Sequence, residues 1–97
     1  KMDAKSQLPK HTDIFYTATT CRLHIAVKTN SLVTMTIDKK QFHLEQGSIY
    51  FANVRKMHSV ENASDEDRIH VVFDIEWCEK LQQLLETALQ NKSENIV

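Results

Sequence analysis

The strongest strand pattern in this 97-residue chain is Arg68-Ile69-His70-Val71-Val72-Phe73-Asp74-Ile75, in which β-branched and aromatic residues predominate. Towards the N-terminus, five further stretches alternate polar and apolar side chains, as strands with one buried face do. They cover residues 22–28, 32–37, 41–44, 48–52 and 58–61. Turn clusters separate them, and Gly47, the single glycine, suits a turn position with a positive φ. Six strands at a spacing of about 8–12 residues predict a sandwich or barrel.

The hydrophobic period changes after Ile75 from that of a strand to that of a helix. One helical stripe contains Trp77, Leu81, Leu84, Leu85, Ala88 and Leu89. We therefore predict an amphipathic helix over residues 77–91 that packs against the sheet, with homodimer formation as the alternative use of its stripe. Residues 92–97 are expected to fray as a tail, and the segment before Cys21 is expected to add a short strand around residues 11–16.

Strands in this order, followed by a helix, predict a mainly β fold. The expected architecture is a double-stranded β-helix, which is the cupin-like jelly roll, with one C-terminal α-helix. Residues 1–76 would form its core, residues 77–91 the helix and residues 92–97 the tail.

Composition excludes several classes of protein. Twelve basic residues balance thirteen acidic ones without a basic stripe, which argues against nucleic acid as a partner. No apolar run approaches the roughly 18 residues of a membrane span, and the start of the chain has no secretory pattern. Cys21 and Cys78 lack the spacing of a zinc or redox motif, and a reduced pair is favoured over a disulfide. These features predict a cytoplasmic protein without membrane partners.

His11, Asp13 and His58 are the candidate metal ligands. Two imidazoles and one carboxylate can hold one face of a ferrous ion and leave the other open, as in non-haem Fe(II) oxygenases. His11 and Asp13 are two residues apart, so on an extended segment their side chains share a face. Taken alone, the His-x-Asp motif is weak, and its residues could be ordinary surface groups. Together with a distant histidine and a following arginine it is far more restrictive.

Arg68 opens the strongest strand and would enter a cavity if residues 68, 70 and 72 face inward. A buried guanidinium needs an anionic partner, and the carboxylate of a small molecule could provide it. The alternative is an ion pair with Asp65 or Glu66 in the preceding turn. Arg22 and His24 share one face of another strand and could also bind a carboxylate. The alternative for His24 is a core histidine bonded to the backbone.

The chain resembles the aspartyl/asparaginyl β-hydroxylase family of Fe(II)- and 2-oxoglutarate-dependent oxygenases. The matching segments are PKHTD (residues 9–13), CRLHI (21–25), EQGSIYFAN (45–53), HSVEN (58–62) and DRIHVVFD (67–74). The resemblance implies that His11 and His58 ligate iron. The carboxylate Asp13 resembles the bacterial members that hydroxylate proline, because animal peptide hydroxylases of the family lack a carboxylate ligand there.

The resemblance also implies the roles of the remaining site residues. Arg68 would bind the distal carboxylate of 2-oxoglutarate, His24 the carboxylate next to the keto group, and Arg22 the substrate. Family members normally carry strands upstream of the first histidine, so the jelly roll is expected to lack N-terminal strands in this chain, which puts its activity in question. The expected activity is hydroxylation of a C–H bond in an amino acid or peptidyl residue. The alternative is a non-catalytic cupin-like module that binds a small molecule or a metal.

Overall fold

A computed structural model describes residues 1–13 and 19–97, which form seven strands and one helix. The strands are β1 (Ser6–His11), β2 (Thr20–Lys28), β3 (Val33–Ile37), β4 (Lys40–Phe42), β5 (Ile49–Phe51), β6 (His58–Asn62) and β7 (Ile69–Glu76), and the helix is α1 (Glu79–Gln90). In this part of the chain the strands form two antiparallel sheets, with orders β1-β6-β3-β4 and β5-β2-β7. The fold is therefore mainly β and jelly-roll-like, as predicted, without closing into a barrel.

The core lies between the sheets because each central strand buries alternate side chains. On β3 the apolar residues Val33, Met35 and Ile37 are buried, while the threonines between them are less so. The buried apolar cluster also contains Met2, Ala26, Leu44, Tyr50, Ala52, Val54 and Val60. Gly47 adopts φ 86° in the turn before β5, which confirms the predicted positive φ.

The first described strand, β1, precedes the strand that was predicted around residues 11–16. β1 ends at His11, where the prediction placed the start of a strand, and residues 14–18 lie outside the described part of the chain. Its pairing with β6 shifts register between Leu8 and His11. Pro9 lies in this interval and has no N–H to donate, so it fits only an edge strand or an irregularity. β1 is such an edge strand.

The C-terminal region also differs from the prediction. Residues 92–97 do not fray: the backbone N–H groups of Phe51 and Asn53 donate to the carbonyls of Asn95 and Val97. No residue of α1 is buried, and Leu84 and Leu89 are each 61% exposed, in contrast to the expected packing on the core. The returning tail pairs with the edge of β5 and packs Val97 on the core, a covering role that had been expected of the helix.

The outer face of the three-stranded sheet is apolar and accessible. Val71, Phe73 and Ile75 on β7 remain between 38% and 46% exposed. Among the described residues, no helix is long and apolar enough to cross a lipid bilayer. Both cysteines are free thiols, with Cys21 buried and Cys78 exposed.

Asn62, which is 1% exposed, ties the loop after β6 to the N-terminal segment. Its Nδ2 donates to the carbonyls of Asp3 and Glu66, and its Oδ1 accepts from the backbone N–H and the hydroxyl of Ser64. Asn62→Ala should lower the free energy of unfolding by roughly 2–3 kcal/mol, because it removes these bonds and leaves buried partners unsatisfied.

Urea unfolding measures this loss, and Asn91→Ala at an exposed position is the matched control. A change below roughly 0.5 kcal/mol for Asn62→Ala, which is ordinary for surface positions, would contradict the structural role of Asn62.

Candidate metal and carboxylate site

The fold brings the three predicted metal ligands together. His11 and His58 are direct partners in the β1–β6 pair, and their ring centroids lie 4.2 Å apart. Asp13 follows β1, and its backbone N–H donates to the carbonyl of Val54 at 3.0 Å. Candidate ligand atoms of His11, Asp13 and His58 all lie within 4.8 Å of one another. We call these three residues the metal triad.

Hydrogen bonds fix which nitrogen of each triad histidine faces the centre. The Nδ1 atoms of His11 and His58 lie 2.7 and 2.9 Å from the carbonyls of Pro9 and Lys56. A carbonyl only accepts, so each Nδ1 carries a hydrogen, and a neutral imidazole then has its lone pair on Nε2. Both Nε2 atoms lie 3.3 Å from Oδ1 of Asp13.

This donor set fits a divalent metal ion. With neutral imidazoles, two nitrogen lone pairs and a carboxylate oxygen converge, and they repel one another unless a cation lies between them. Metal bonds of about 2.1 Å to neighbouring ligand positions separate ligand atoms by roughly 3–3.4 Å, which the two 3.3 Å distances match. The backbone carbonyls behind the imidazoles provide the outer hydrogen bonds that orient histidine ligands.

Asp13 is itself held from the opposite side. Its second oxygen, Oδ2, accepts from Nη1 of Arg22 at 2.5 Å. The same guanidinium donates through Nε and Nη2 to both oxygens of Asp74 at 2.7 and 2.9 Å. These bonds raise the pKa of Arg22 and lower that of Asp74. Arg22 therefore bridges the triad carboxylate to β7 and leaves Oδ1 directed at the two histidines.

A second group of side chains, His24, Arg68 and His70, lies on the inward side of the β2–β7 pair, and we call it the basic cluster. Nδ1 of His70 has two neighbours: Nη1 of Arg68 lies 3.0 Å from it, and Nδ1 of His24 lies 3.4 Å from it. Three buried nitrogens of the cluster have no hydrogen-bond partner among the described residues: Nε2 of His24, Nε of Arg68 and Nε2 of His70. Such groups are costly unless a ligand or water satisfies them.

Burial controls the charge of this cluster. Desolvation, reinforced by the charge of Arg68, lowers the pKa of His24 to about 4 and that of His70 to about 3. Desolvation also lowers the pKa of Arg68. Both histidines are thus neutral at neutral pH, and Arg68 provides the positive charge of the cluster. Arg22, which contacts Asp13, lies two residues before His24 on the same face of β2, so the cluster lies beside the metal triad.

The chain belongs to the aspartyl/asparaginyl β-hydroxylase family, because the family pattern matches residues 1–77. This match supports an oxygenase-type enzyme, and the metal triad fits a metal-dependent hydroxylase. It also covers every residue of the metal triad and of the basic cluster.

The structure brings together the three residues that were predicted as metal ligands, but the residues around them differ in part from the prediction. His11, Asp13 and His58 converge, and Arg68 lies in the basic cluster; among the described residues it has no ion pair with Asp65 or Glu66. The substrate-binding role of Arg22 stays a prediction. Two residues outside the predicted site are His70 and Asp74. The sequence could have indicated His70, because it lies two residues after Arg68 and so on the same face of a strand. It could not have indicated Asp74, because only the strand register places that residue opposite Arg22.

The bridge through Arg22 should matter for metal affinity. The double variant Arg22→Met/Asp74→Asn removes the bridge while keeping the local net charge, so the carboxylate of Asp13 loses its orientation. We expect Mn(II) to bind roughly 10-fold more weakly in calorimetric titrations, which is typical of lost outer hydrogen bonds.

Arg55→Met, which changes an arginine that donates to the carbonyl of Thr20, is the control and should leave the Mn(II) affinity unchanged. Equal affinity of the double variant and the wild type would show that Asp13 needs no support from Arg22.

Acid should destabilise the fold in a defined window. The unfolded chain protonates His24 and His70 near pH 6.5, but the folded chain resists protonation down to about pH 4 for His24 and about pH 3 for His70. The unfolded state therefore binds more protons, and the free energy of unfolding falls as the pH drops below 6.5.

Urea unfolding across this pH range should show a smaller loss for His70→Gln, whereas His43→Gln at an exposed position should behave as the wild type. Identical losses for His70→Gln and the wild type would argue against a buried neutral His70.

Proposed function

We propose that this protein is an Fe(II)- and 2-oxoglutarate-dependent dioxygenase that hydroxylates a C–H bond of an amino acid or a peptidyl residue of aspartyl, asparaginyl or prolyl type. The observation that carries the proposal is the adjacency of two sites: a metal triad of His-Asp-His type and a buried basic cluster with unsatisfied nitrogens. A keto acid that chelates the metal and extends a carboxylate into the cluster would use both.

The charges of the site suit a dicarboxylate. A divalent ion and the two guanidiniums of Arg22 and Arg68 are opposed by the two carboxylates of Asp13 and Asp74. The site with metal would therefore carry an excess of two positive charges, which the two carboxylates of 2-oxoglutarate would neutralise. A planar guanidinium also matches the geometry of a carboxylate, which favours Arg68 as the partner of the distal group.

Each residue has a defined task in this proposal. Nε2 of His11, Nε2 of His58 and Oδ1 of Asp13 would hold the iron on one face and leave the other for co-substrate and oxygen. Bound Fe(II) would supply the oxidative decarboxylation of 2-oxoglutarate to succinate and carbon dioxide, with transfer of one oxygen atom to the substrate. Arg68 would fix the distal carboxylate, and His24 would contact the carboxylate beside the keto group.

The substrate has a candidate position beside the metal triad. A cavity of about 180 Å³ is bordered by Arg22, Ala52, Asn53 and Trp77, among others. We propose that Arg22 contacts a carboxylate or amide of the substrate there while it orients Asp13. A cytoplasmic location is part of the same proposal, and the free thiols of Cys21 and Cys78 are compatible with it.

Anaerobic titration tests the function directly. Fe(II) and 2-oxoglutarate added together should give the weak visible charge-transfer band of a chelated keto acid, and admission of oxygen should yield succinate. Arg68→Ala should raise the 2-oxoglutarate concentration needed for half-maximal absorbance by roughly 100-fold and leave Mn(II) affinity unchanged.

Lys80→Ala, which removes a positive charge from an exposed position on α1, is the charge-matched control and should titrate as the wild type. A wild-type protein that takes up Fe(II) but never develops the band would overturn the proposal in favour of a cupin-like module that binds a metal or another ligand.

A further inference from the structure

Nδ1 of His70 determines which nitrogen of His24 carries a hydrogen. It lies 3.0 Å from Nη1 of Arg68, and a guanidinium only donates, so this nitrogen must accept and has no hydrogen of its own. Nδ1 of His24 lies 3.4 Å from the same atom, and the two imidazole rings meet edge-on. A hydrogen bond exists there only if Nδ1–H of His24 donates, because the alternative places two lone pairs against each other.

A neutral His24 therefore has its lone pair on Nε2. That nitrogen is buried and has no hydrogen-bond partner in the described part of the chain. It suits a donor, whereas a carboxylate offers only acceptors and would be repelled by the lone pair. The function proposed above places a carboxylate of 2-oxoglutarate at His24. This contact is favourable only when Nε2 carries a hydrogen.

Two changes could put a hydrogen on Nε2 of His24. A shift within the ring, from Nδ1 to Nε2, would break the bond to His70 and leave two lone pairs 3.4 Å apart. Uptake of a proton from the solvent keeps that bond, because an imidazolium donates from both nitrogens. We propose that His24 takes up a proton on Nε2 when 2-oxoglutarate binds, which makes co-substrate affinity depend on pH. This inference rests on the proposed function, because 2-oxoglutarate is the ligand concerned.

The charges around His24 favour this coupling. In the free protein, desolvation and the positive charge of Arg68 hold the pKa of His24 at about 4. The distal carboxylate of 2-oxoglutarate would neutralise Arg68, and the carboxylate at Nε2 would attract an imidazolium, so both ends of the ligand raise this pKa. Among residues 1–13 and 19–97, the ring has no hydrogen bond or ring contact with the metal triad. The other charged or titratable groups that act on His24 or pair with it are Asp13, Arg22, Tyr50, His58 and His70.

Calorimetry can count the protons. 2-Oxoglutarate is titrated anaerobically into protein already saturated with Mn(II), in buffers that differ in enthalpy of ionisation, so that metal binding does not enter the count. At about pH 7 the wild type should take up about one proton per 2-oxoglutarate. Its dissociation constant should rise by up to about 10-fold per pH unit above that pH, because the proton becomes scarcer.

Two variants assign the proton. His24→Gln has an amide that donates without titrating, so proton uptake should vanish and the pH dependence of the affinity should flatten. His43→Gln, at an exposed histidine, is the matched control and should take up as many protons as the wild type.

A spectroscopic measurement on the wild type avoids any effect of substitution on folding. Nitrogen-15 NMR of the protein loaded with diamagnetic Zn(II) should show a hydrogen on Nδ1 and a lone pair on Nε2 of His24. After addition of 2-oxoglutarate, both nitrogens should carry a hydrogen.

The outcomes are distinguishable. A wild type that binds no 2-oxoglutarate overturns the proposed function and this inference together. Binding without proton uptake, or with a hydrogen on only one nitrogen of His24, overturns the inference alone. Equal proton uptake by the wild type and His24→Gln would assign the proton to another group and overturn the inference as well.

Discussion

The carboxylate of Asp13 is the point on which the site depends, because its two oxygens serve two different groups. Oδ1 faces Nε2 of His11 and of His58 at 3.3 Å, and Oδ2 accepts from Arg22. Arg22 in turn lies against Asp74, so one hydrogen-bonded chain runs from the metal triad on the four-stranded sheet to the last strand of the other. The charge-assisted bonds of this chain connect two sheets that do not close into a barrel.

The two regions of the site favour ligand groups of opposite charge. Lone pairs and negative charge converge at the metal triad, which therefore attracts a cation. Positive charge lies at the basic cluster, where Arg68 is the cation and His24, Arg68 and His70 leave three buried nitrogens without partners among the described residues. A ligand that coordinates a metal at one end and carries a carboxylate at the other would suit both the metal triad and the basic cluster. This complementarity, more than the family match alone, is the physical basis for the proposed co-substrate.

Much of the fold was predictable from local patterns. Alternation along β2, β3, β6 and β7, together with the helical period after Ile75, anticipated most elements because burial of one face imposes the period. The errors fell where local pattern is weak. β1 carries few apolar residues and an interrupting Pro9, and the tail at residues 95–97 pairs with β5 through backbone groups that no side-chain pattern reveals. The apolar side chains of α1 remain exposed, so an amphipathic pattern predicted the helix but not which part of the protein, if any, packs against its apolar face.

The sequence by itself identified His11, Asp13 and His58 as candidate metal ligands, since residue chemistry and order restrict what two histidines, a carboxylate and a later arginine can do together. It also determined that residues 68 and 70 share a face, because strands have a period of two. Only the tertiary structure decided that Asp74 faces Arg22 and that Arg22 holds Asp13. These contacts depend on strand register and on the approach of two sheets, and both follow from packing of the whole chain instead of from any local stretch.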